Sequence, residues 1–422
     1  MSRLQPVRGT HDILPEDGRQ QRHVVETARE LSERYGFAEI STPIFEFTEV
    51  FKRTLGETSD VVTKEMYTFQ DRGGDEITLR PEYTAGIARA VISGGLSQQL
   101  PLRFFAHGPM FRYERPQKGR LRQFHQIDAE IVGVAQPQAD IEVIALGADI
   151  LKALGVLNST QLEINSLGDA ASRLAYREAL VSYFGAHRDG LSEESQHRLE
   201  RNPLRILDSK DEGDRTLVAD APRMEDYLNE SSAEFFAAVL AGLDALGVHY
   251  KRNPHLVRGL DYYSHTAFEF VTQELGAQGA VIAGGRYDGL IETMGGPSTP
   301  AVGWAGGIER LAMLAGSAPD APRPIALVPV GDVVQEAAMV LARDLRNAGF
   351  IVDLGYRGNV TRRMKRADRI GARVALLLGE DELERGVVTL RDLDSGEQQV
   401  LTRDALQAAL TSLLQGNDQV RA

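Results

Sequence analysis

The sequence predicts a multidomain α/β protein: an α+β body built on an antiparallel hairpin, a helical insertion, and a C-terminal βαβ domain. Three observations carry that expectation. Two strand patterns, 103–114 and 121–134, are joined by a short loop containing Pro116 and Gly119. Between about 167 and 248 the chain turns polar, acidic and helical in pattern. Beyond residue 325 strand and helix patterns alternate, as they do around a parallel core with crossover helices. The chain of 422 residues is also too long for one ordinary domain.

The elements follow in order. Residues 24–35 have the spacing of an amphipathic helix, and Gly36 stops it. Residues 37–47 are strand-like and carry Pro43. Residues 75–80 read as a strand and 81–93 as a helix with proline in its first turn, so that Glu82 and Thr84 lie in that turn. The hairpin spans 104–133, and a helix covers 139–154. After the insertion, strands resume at 267–271 and 280–283, and 301–314 passes from strand into helix. These late strands are expected to complete the sheet that the hairpin begins. Residues 316–324 have linker composition. The last domain reads as strands at 325–330, 351–354, 374–379, 387–393 and 398–401, with helices at 333–348, at 360–370 and at the end. The expected boundaries are 1–166 and 251–318 for the body, 167–250 for the insertion, and 325–422 for the last domain.

Composition narrows the function. Cysteine is absent, so neither a disulfide framework nor thiolate chemistry is available. The net charge of −13 argues against a protein that coats nucleic acid non-specifically, while a local basic patch still suffices for specific binding. Residues 1–17 lack the apolar core of a signal peptide, and no run of about 18 apolar residues is present to span a membrane. A cytoplasmic protein is expected. The short signatures GxxxxGK[ST], GxGxxG, HExxH and GxSxG are all missing.

The hairpin is the richest stretch chemically. Side chains two apart share a strand face, which groups Met110, Arg112 and Glu114 on one strand and Phe124, Gln126, Asp128 and Glu130 on the other. An arginine grips phosphate through two parallel hydrogen bonds, an aromatic ring stacks on a base, and a carboxylate holds an amine. The connecting loop, Arg115 to Arg120, is basic. The alternative is a solvated strand pair with ordinary salt bridges. Elsewhere, Glu82 and Thr84 suit either a ligand or a helix N-terminus. The Gly284–Gly285 pair suits either close approach of backbone to a ligand or a tight turn. Arg310 suits either a phosphate or a neighbouring carboxylate. Arg362, Lys365, Arg366 and Arg369 form a basic stripe at helical spacing, which suits either nucleic acid or solvent.

The wording and order of these segments resemble the class II aminoacyl-tRNA synthetases. Residues 35–46, from Tyr35–Gly36–Phe37 to Thr42–Pro43–Ile44–Phe45–Glu46, resemble their first motif. Phe111–Arg112–Tyr113–Glu114 with the returning strand resembles the second, and residues 303–310 the third. Arg258–Gly259–Leu260–Asp261–Tyr262–Tyr263, Ala283–Gly284–Gly285–Arg286–Tyr287–Asp288–Gly289 and the run from Glu114 to Gln126 are similar to histidyl-tRNA synthetases in particular. The resemblance extends over essentially the whole chain. It implies an antiparallel sheet flanked by helices, an anticodon-binding domain at the C-terminus, and a homodimer joined near the first motif.

It also implies a two-step reaction with ATP, L-histidine and the histidine tRNA, with Mg2+ accompanying the ATP phosphates. By the match, Arg112 and Arg258 address the α-phosphate and Arg310 the γ-phosphate. Arg120 helps hold the phosphates, while Glu114 and Phe124 hold adenine. Glu82, Thr84 and Gln126 take the amino and carboxylate ends of histidine. Glu130 and Tyr263 read the imidazole, with Tyr262 and Tyr287 closing the pocket. Tyr83 departs from the smaller residue expected there and would narrow the entrance near Glu82. Arg115, Gln117, Lys118, Arg362 and Arg366 are expected to meet tRNA, and no resident metal is expected. Two rivals are a synthetase-like regulatory subunit of a phosphoribosyltransferase and a class II synthetase for another amino acid. The intact Arg112, Arg258 and Arg310 and the last domain argue against the first rival, and the 258–263 stretch argues against the second.

Overall fold

The computed structural model describes residues 4–56, 59, 61–117, 119–258, 260, 262–276 and 279–415. The chain divides into two compact units, Met1–Ala318 and Pro319–Ala422.

The first unit is built on an eight-stranded sheet. From one edge to the other, the strands are Ala38–Glu39, Leu102–Phe111, Gln123–Val132, Ala301–Gly307, Ala280–Arg286, Ser264–Val271, Gln161–Ser166 and Tyr250–Arg252. The two edge strands pair in parallel and every inner pair is antiparallel. The strand made last, Ala301–Gly307, therefore lies at the centre, between the hairpin and the older strands. The helices Pro15–Arg34 and Pro137–Ala153 contribute Val24, Ala28, Val143 and Leu146 to the main core, where they meet Ile127, Phe268 and Trp304. The indole N–H of Trp304 donates to the Val143 carbonyl at 2.8 Å. That bond ties the second of these helices to the central strand.

Several boundaries differ from expectation, each for a local reason. The first helix begins at Pro15, because proline and the acidic pair Glu16–Asp17 suit a first helical turn. The stretch around Pro43 splits into Ala38–Glu39 in the large sheet and Phe45–Phe47 in a separate three-stranded sheet with Glu76–Leu79 and Tyr67–Gln70. Proline lacks the N–H a continuous strand requires. The next helix starts at Thr84, so Glu82 precedes it. Strand Ala280–Arg286 runs through Gly284 and Gly285, which rules out the tight turn. A Cβ on Gly284 would fall 2.2 Å from the Gly303 carbonyl oxygen. Close strand approach is what these glycines allow.

From 167 to 249 the chain is helical, with a small core of its own around Tyr176, Leu180, Phe184 and Ile206. Asp214 fastens it by accepting from the hydroxyls of Ser192, Ser195 and Ser209 at 2.5–2.7 Å. The helix Glu230–Ala245 instead sends Phe236, Val239 and Leu243 into the main core.

The second unit holds a five-stranded sheet in the order Val352–Leu354, Ile325–Pro329, Val374–Leu378, Val387–Asp392, Gln398–Thr402. The first three strands are parallel and the last two antiparallel. Helices Gln335–Asn347 and Arg403–Gln415 pack Leu341, Leu345, Leu406 and Leu410 into its core.

Candidate active site

The registers put three polar side chains on one strand opposite the smallest side chains of the next. Gln126 lies beside Gly307, Asp128 beside Ala305 and Glu130 beside Gly303. Gly303, Ala305 and Gly307 line a cavity of about 210 Å³. The missing side chains are what make room. A Cβ on Gly303 would stand 1.5 Å from Oε2 of Glu130.

One end of the site is acidic. Glu130, 1% exposed, accepts from the Thr84 hydroxyl at 2.7 Å and from the Tyr287 hydroxyl at 2.5 Å. Burial pushes its carboxyl up to about 8, against the pull of those two hydrogen bonds. Glu82 spends one oxygen on the backbone N–H of Ala85 at 2.9 Å, so the capping role is real. Its other oxygen is buried and meets no donor among the described residues, and the same holds for Oε1 of Gln126 and both oxygens of Asp128. Burial raises the carboxyls of Glu82 and Asp128, and for Asp128 the charges of Glu130 and Glu82 add to it. The ring of Tyr262 packs against Tyr263 at 4.5 Å and edge-on against Tyr287 at 5.6 Å.

The other end is basic. Arg112 donates Nε to the Pro81 carbonyl at 2.9 Å and lies over the Phe124 ring at 5.3 Å. Arg310 donates to the carbonyls of Gly119 at 3.0 Å and Ala280 at 2.7 Å. Arg120 pairs with Glu114, and Arg258 pairs with Glu269 and lies 5.1 Å from the Tyr263 ring. Burial lowers the affinity of Arg310 for its proton, and the neighbouring charges of Arg120 and Arg112 lower it further. An anion placed among these groups would relieve that strain. Behind them Glu309 accepts from the backbone N–H of His125 at 3.0 Å and meets its ring Nδ1 at 2.7 Å, which joins the hairpin to the helix that carries Arg310.

Most of the residues singled out from the sequence converge here. Glu82, Thr84, Arg112, Glu114, Arg120, Phe124, Gln126, Arg258, Tyr262, Tyr263 and Arg310 all face the cavity. Tyr83 does not. Its ring is buried with Ile87, Ala106 and Met110, and its hydroxyl donates to the His107 carbonyl at 2.5 Å, so it narrows no entrance. Tyr287 supports Glu130 from behind rather than lining the space. Arg115 and Gln117 are exposed on the loop, and Lys118 falls outside the described residues. In the second unit Arg362 is exposed and Arg366 is held by both oxygens of Asp353, at 2.7 and 2.8 Å. Asp128 has no role by sequence resemblance, and nothing in the sequence singles out Glu269, Glu309 or His125. His125 and Glu309 meet across 184 residues, and Glu269 meets Arg258 across a chain reversal of 11. Among the described residues no group of three or more His, Asp or Glu side chains is placed to hold a metal ion. None of the described helices is long and apolar enough to cross a membrane.

A cavity with arginines at one end and carboxylates at the other suits a ligand that carries phosphate at one end and an amine at the other. Comparison with known proteins narrows this. The family model described as histidyl-tRNA synthetase matches residues 9–311, and an anticodon binding domain matches 325–413. The chain is similar to the histidine–tRNA ligase of Rhodospirillum rubrum, with 63% identity over 98% of this chain and 100% of that one. It is similar to that of Gluconacetobacter diazotrophicus at 58% identity over the same shares. Among solved structures it resembles apo histidyl-tRNA synthetase of S. aureus, with a TM-score of 0.81 and 36% identity over 96% of this chain and 99% of that one. The chain belongs to the histidyl-tRNA synthetase family.

Proposed function

We propose that this chain is a histidine–tRNA ligase that activates L-histidine with ATP and transfers it to the 3′-terminal adenosine of its tRNA. The observation that carries the reading is the polarity of one cavity: unpartnered acceptors at one end and four arginines at the other. Histidine lies with its ammonium toward Glu82, Thr84 and Gln126 and its imidazole toward Glu130 and Tyr263. Its carboxylate points at the arginines. A carboxylate oxygen attacks the α-phosphorus of ATP, the bond to pyrophosphate breaks, and histidyl-adenylate remains. Arg112 and Arg258 stabilise the charge that develops on the α-phosphate, and Arg310 and Arg120 hold the departing phosphates. Phe124 and Glu114 keep adenine in line. In the second step the ribose hydroxyl of the tRNA attacks the acyl carbon and releases AMP.

Mg2+ enters on the ATP phosphates, since it keeps several waters and rarely takes an all-protein cage. The exposed Arg115 and Gln117, together with Lys118, meet the acceptor end of the tRNA, and the helix bearing Arg362 and Arg366 meets its anticodon arm. The catalytic part comprises 1–166 and 251–318, the insertion 167–250 and the anticodon-binding domain 325–422. Two copies associate through the three-stranded sheet, whose Phe45, Phe47 and Phe69 are 56%, 59% and 46% exposed. An apolar patch of that kind favours an interface. The enzyme works in the cytoplasm. Histidine-dependent ATP–pyrophosphate exchange, followed by charging of the histidine tRNA, tests the function. Exchange with histidine is expected, and its absence overturns the reading.

A further inference from the structure

Asp128 is the one acidic side chain at the floor of the site to which the family resemblance assigns no role. It is 1% exposed, and neither of its oxygens meets a donor among the described residues. Such a group is costly: an uncompensated buried carboxylate normally finds a partner or a ligand. The neighbouring arginines are not that partner. Arg80 spends Nε on the Pro109 carbonyl and Nη1 on the Thr42 carbonyl, both at 2.9 Å, and Arg112 spends Nε on the Pro81 carbonyl. The position is buried directly behind the cavity wall that Gln126 and Ala305 form. Asp128 stands between Gln126 and Glu130 on one strand face, with Ala106 and Ala305 as its cross-strand neighbours, and Ala305 lines the cavity. Two further buried acceptors without donors lie in the same site, Oε2 of Glu82 and Oε1 of Gln126.

An ammonium carries three N–H donors and no acceptor. We infer that Asp128 completes, with Glu82 and Gln126, the receptor for the α-ammonium of the amino acid, and so selects for a substrate with a free amine. The inference rests on the ligase reading above. The pressure that burial, Glu130 and Glu82 place on the Asp128 carboxyl points the same way, because a bound cation relieves it. Glu130 is already occupied by Thr84 and Tyr287 and addresses the imidazole, so the two carboxylates on this face divide the substrate between them.

The test compares three ligands of wild type and Asp128→Asn in the exchange assay: histidine, histidinol, which keeps the amine, and 3-(imidazol-4-yl)propionate, which lacks it. Asn keeps the shape and removes the charge. The expected result is a rise of about tenfold or more in the KM for histidine and the inhibition constant of histidinol, the scale for a lost charge-assisted hydrogen bond. The inhibition constant of the deaminated analogue and the KM for ATP should stay within about twofold, on the same argument. Equal weakening of all three ligands, or weakening of none, overturns the assignment. Asp128→Ala gives the same comparison if the Asn variant does not fold. Wild-type protein without histidine-dependent exchange would overturn the ligase reading instead, so the two failures are distinguishable.

Discussion

At the acidic end of the cavity three side chains keep acceptors without donors among the described residues, whereas at the basic end each arginine is already held by at least one partner. Glu82, Gln126 and Asp128 keep buried oxygens without partners among the described residues. Arg112 and Arg310 are pinned through backbone carbonyls, and Arg120 and Arg258 through carboxylates. The contrast is physical. A guanidinium has five donors, so it can be oriented by one or two and still offer the rest to phosphate. A short carboxylate that spent its oxygens on the scaffold would have little left for a substrate. The acidic end therefore carries its desolvation penalty openly until a cation arrives, while the basic end is preorganised.

The largest expected effect breaks the acidic end. Glu130→Gln should lower histidine-dependent exchange by roughly 10³-fold or more, as a site loses discrimination when a polar reader is removed. The same variant tests the penalty. With its carboxyl raised to about 8 in the fold, Glu130 contributes stability that is fully present below its unfolded value of about 4.5 and is lost as pH rises through about 8. Thermal unfolding of the ligand-free protein should therefore show the Gln variant gaining on wild type between pH 5 and pH 8. A constant difference across that range would show that Glu130 is not strained.

At the basic end, Arg258→Ala should lose at least about 10²-fold in adenylate formation, the scale for one missing transition-state donor. Exchange within a few-fold of wild type would remove that role. Gly303→Ala tests the space between the ends. Its Cβ would collide with the Glu130 carboxylate, so the KM for histidine should rise about tenfold, in line with overpacking penalties of roughly 1–3 kcal/mol. Away from the cavity, neutralising Arg362 and Arg366 should weaken tRNA binding and flatten its salt slope by about one unit for each phosphate no longer neutralised. Arg362 should contribute more, because Arg366 is engaged by Asp353. Smallest of all, Tyr83→Phe should cost about 1 kcal/mol in stability for the missing bond to His107 and leave the histidine KM within about twofold. A large KM change would return Tyr83 to the site.

The hairpin was legible because strand alternation is a strict period of two. Phe124, Gln126, Asp128 and Glu130 share a face as the sequence implied. Whether that face was solvated or buried was not legible. The answer lies in Gly303, Ala305 and Gly307, which become neighbours only once the register with a strand made far later is known. Tyr83 misleads because the sequence shows its size and not its direction. The strand Gln161–Ser166 escapes sequence reasoning although Leu162 and Ile164 alternate with polar residues and are buried. Its six residues are too few to stand out beside a long helical stretch. The C-terminal alternation was clear, since each parallel strand of its centre is a continuous apolar run.

The central position of Ala301–Gly307 has a consequence for the birth of the enzyme. On one side of it stands the hairpin with Arg112, Gln126 and Glu130; on the other stand the strands that lead to Arg258, Tyr263 and Tyr287. During synthesis these two halves cannot share a cavity until residue 307 has left the ribosome and the strand has inserted between them. His125 and Glu309, 184 residues apart, then lock together. Pairing over such distances is slow relative to local folding. A nascent chain halted before this strand would hold the residues of both halves without the cavity they share.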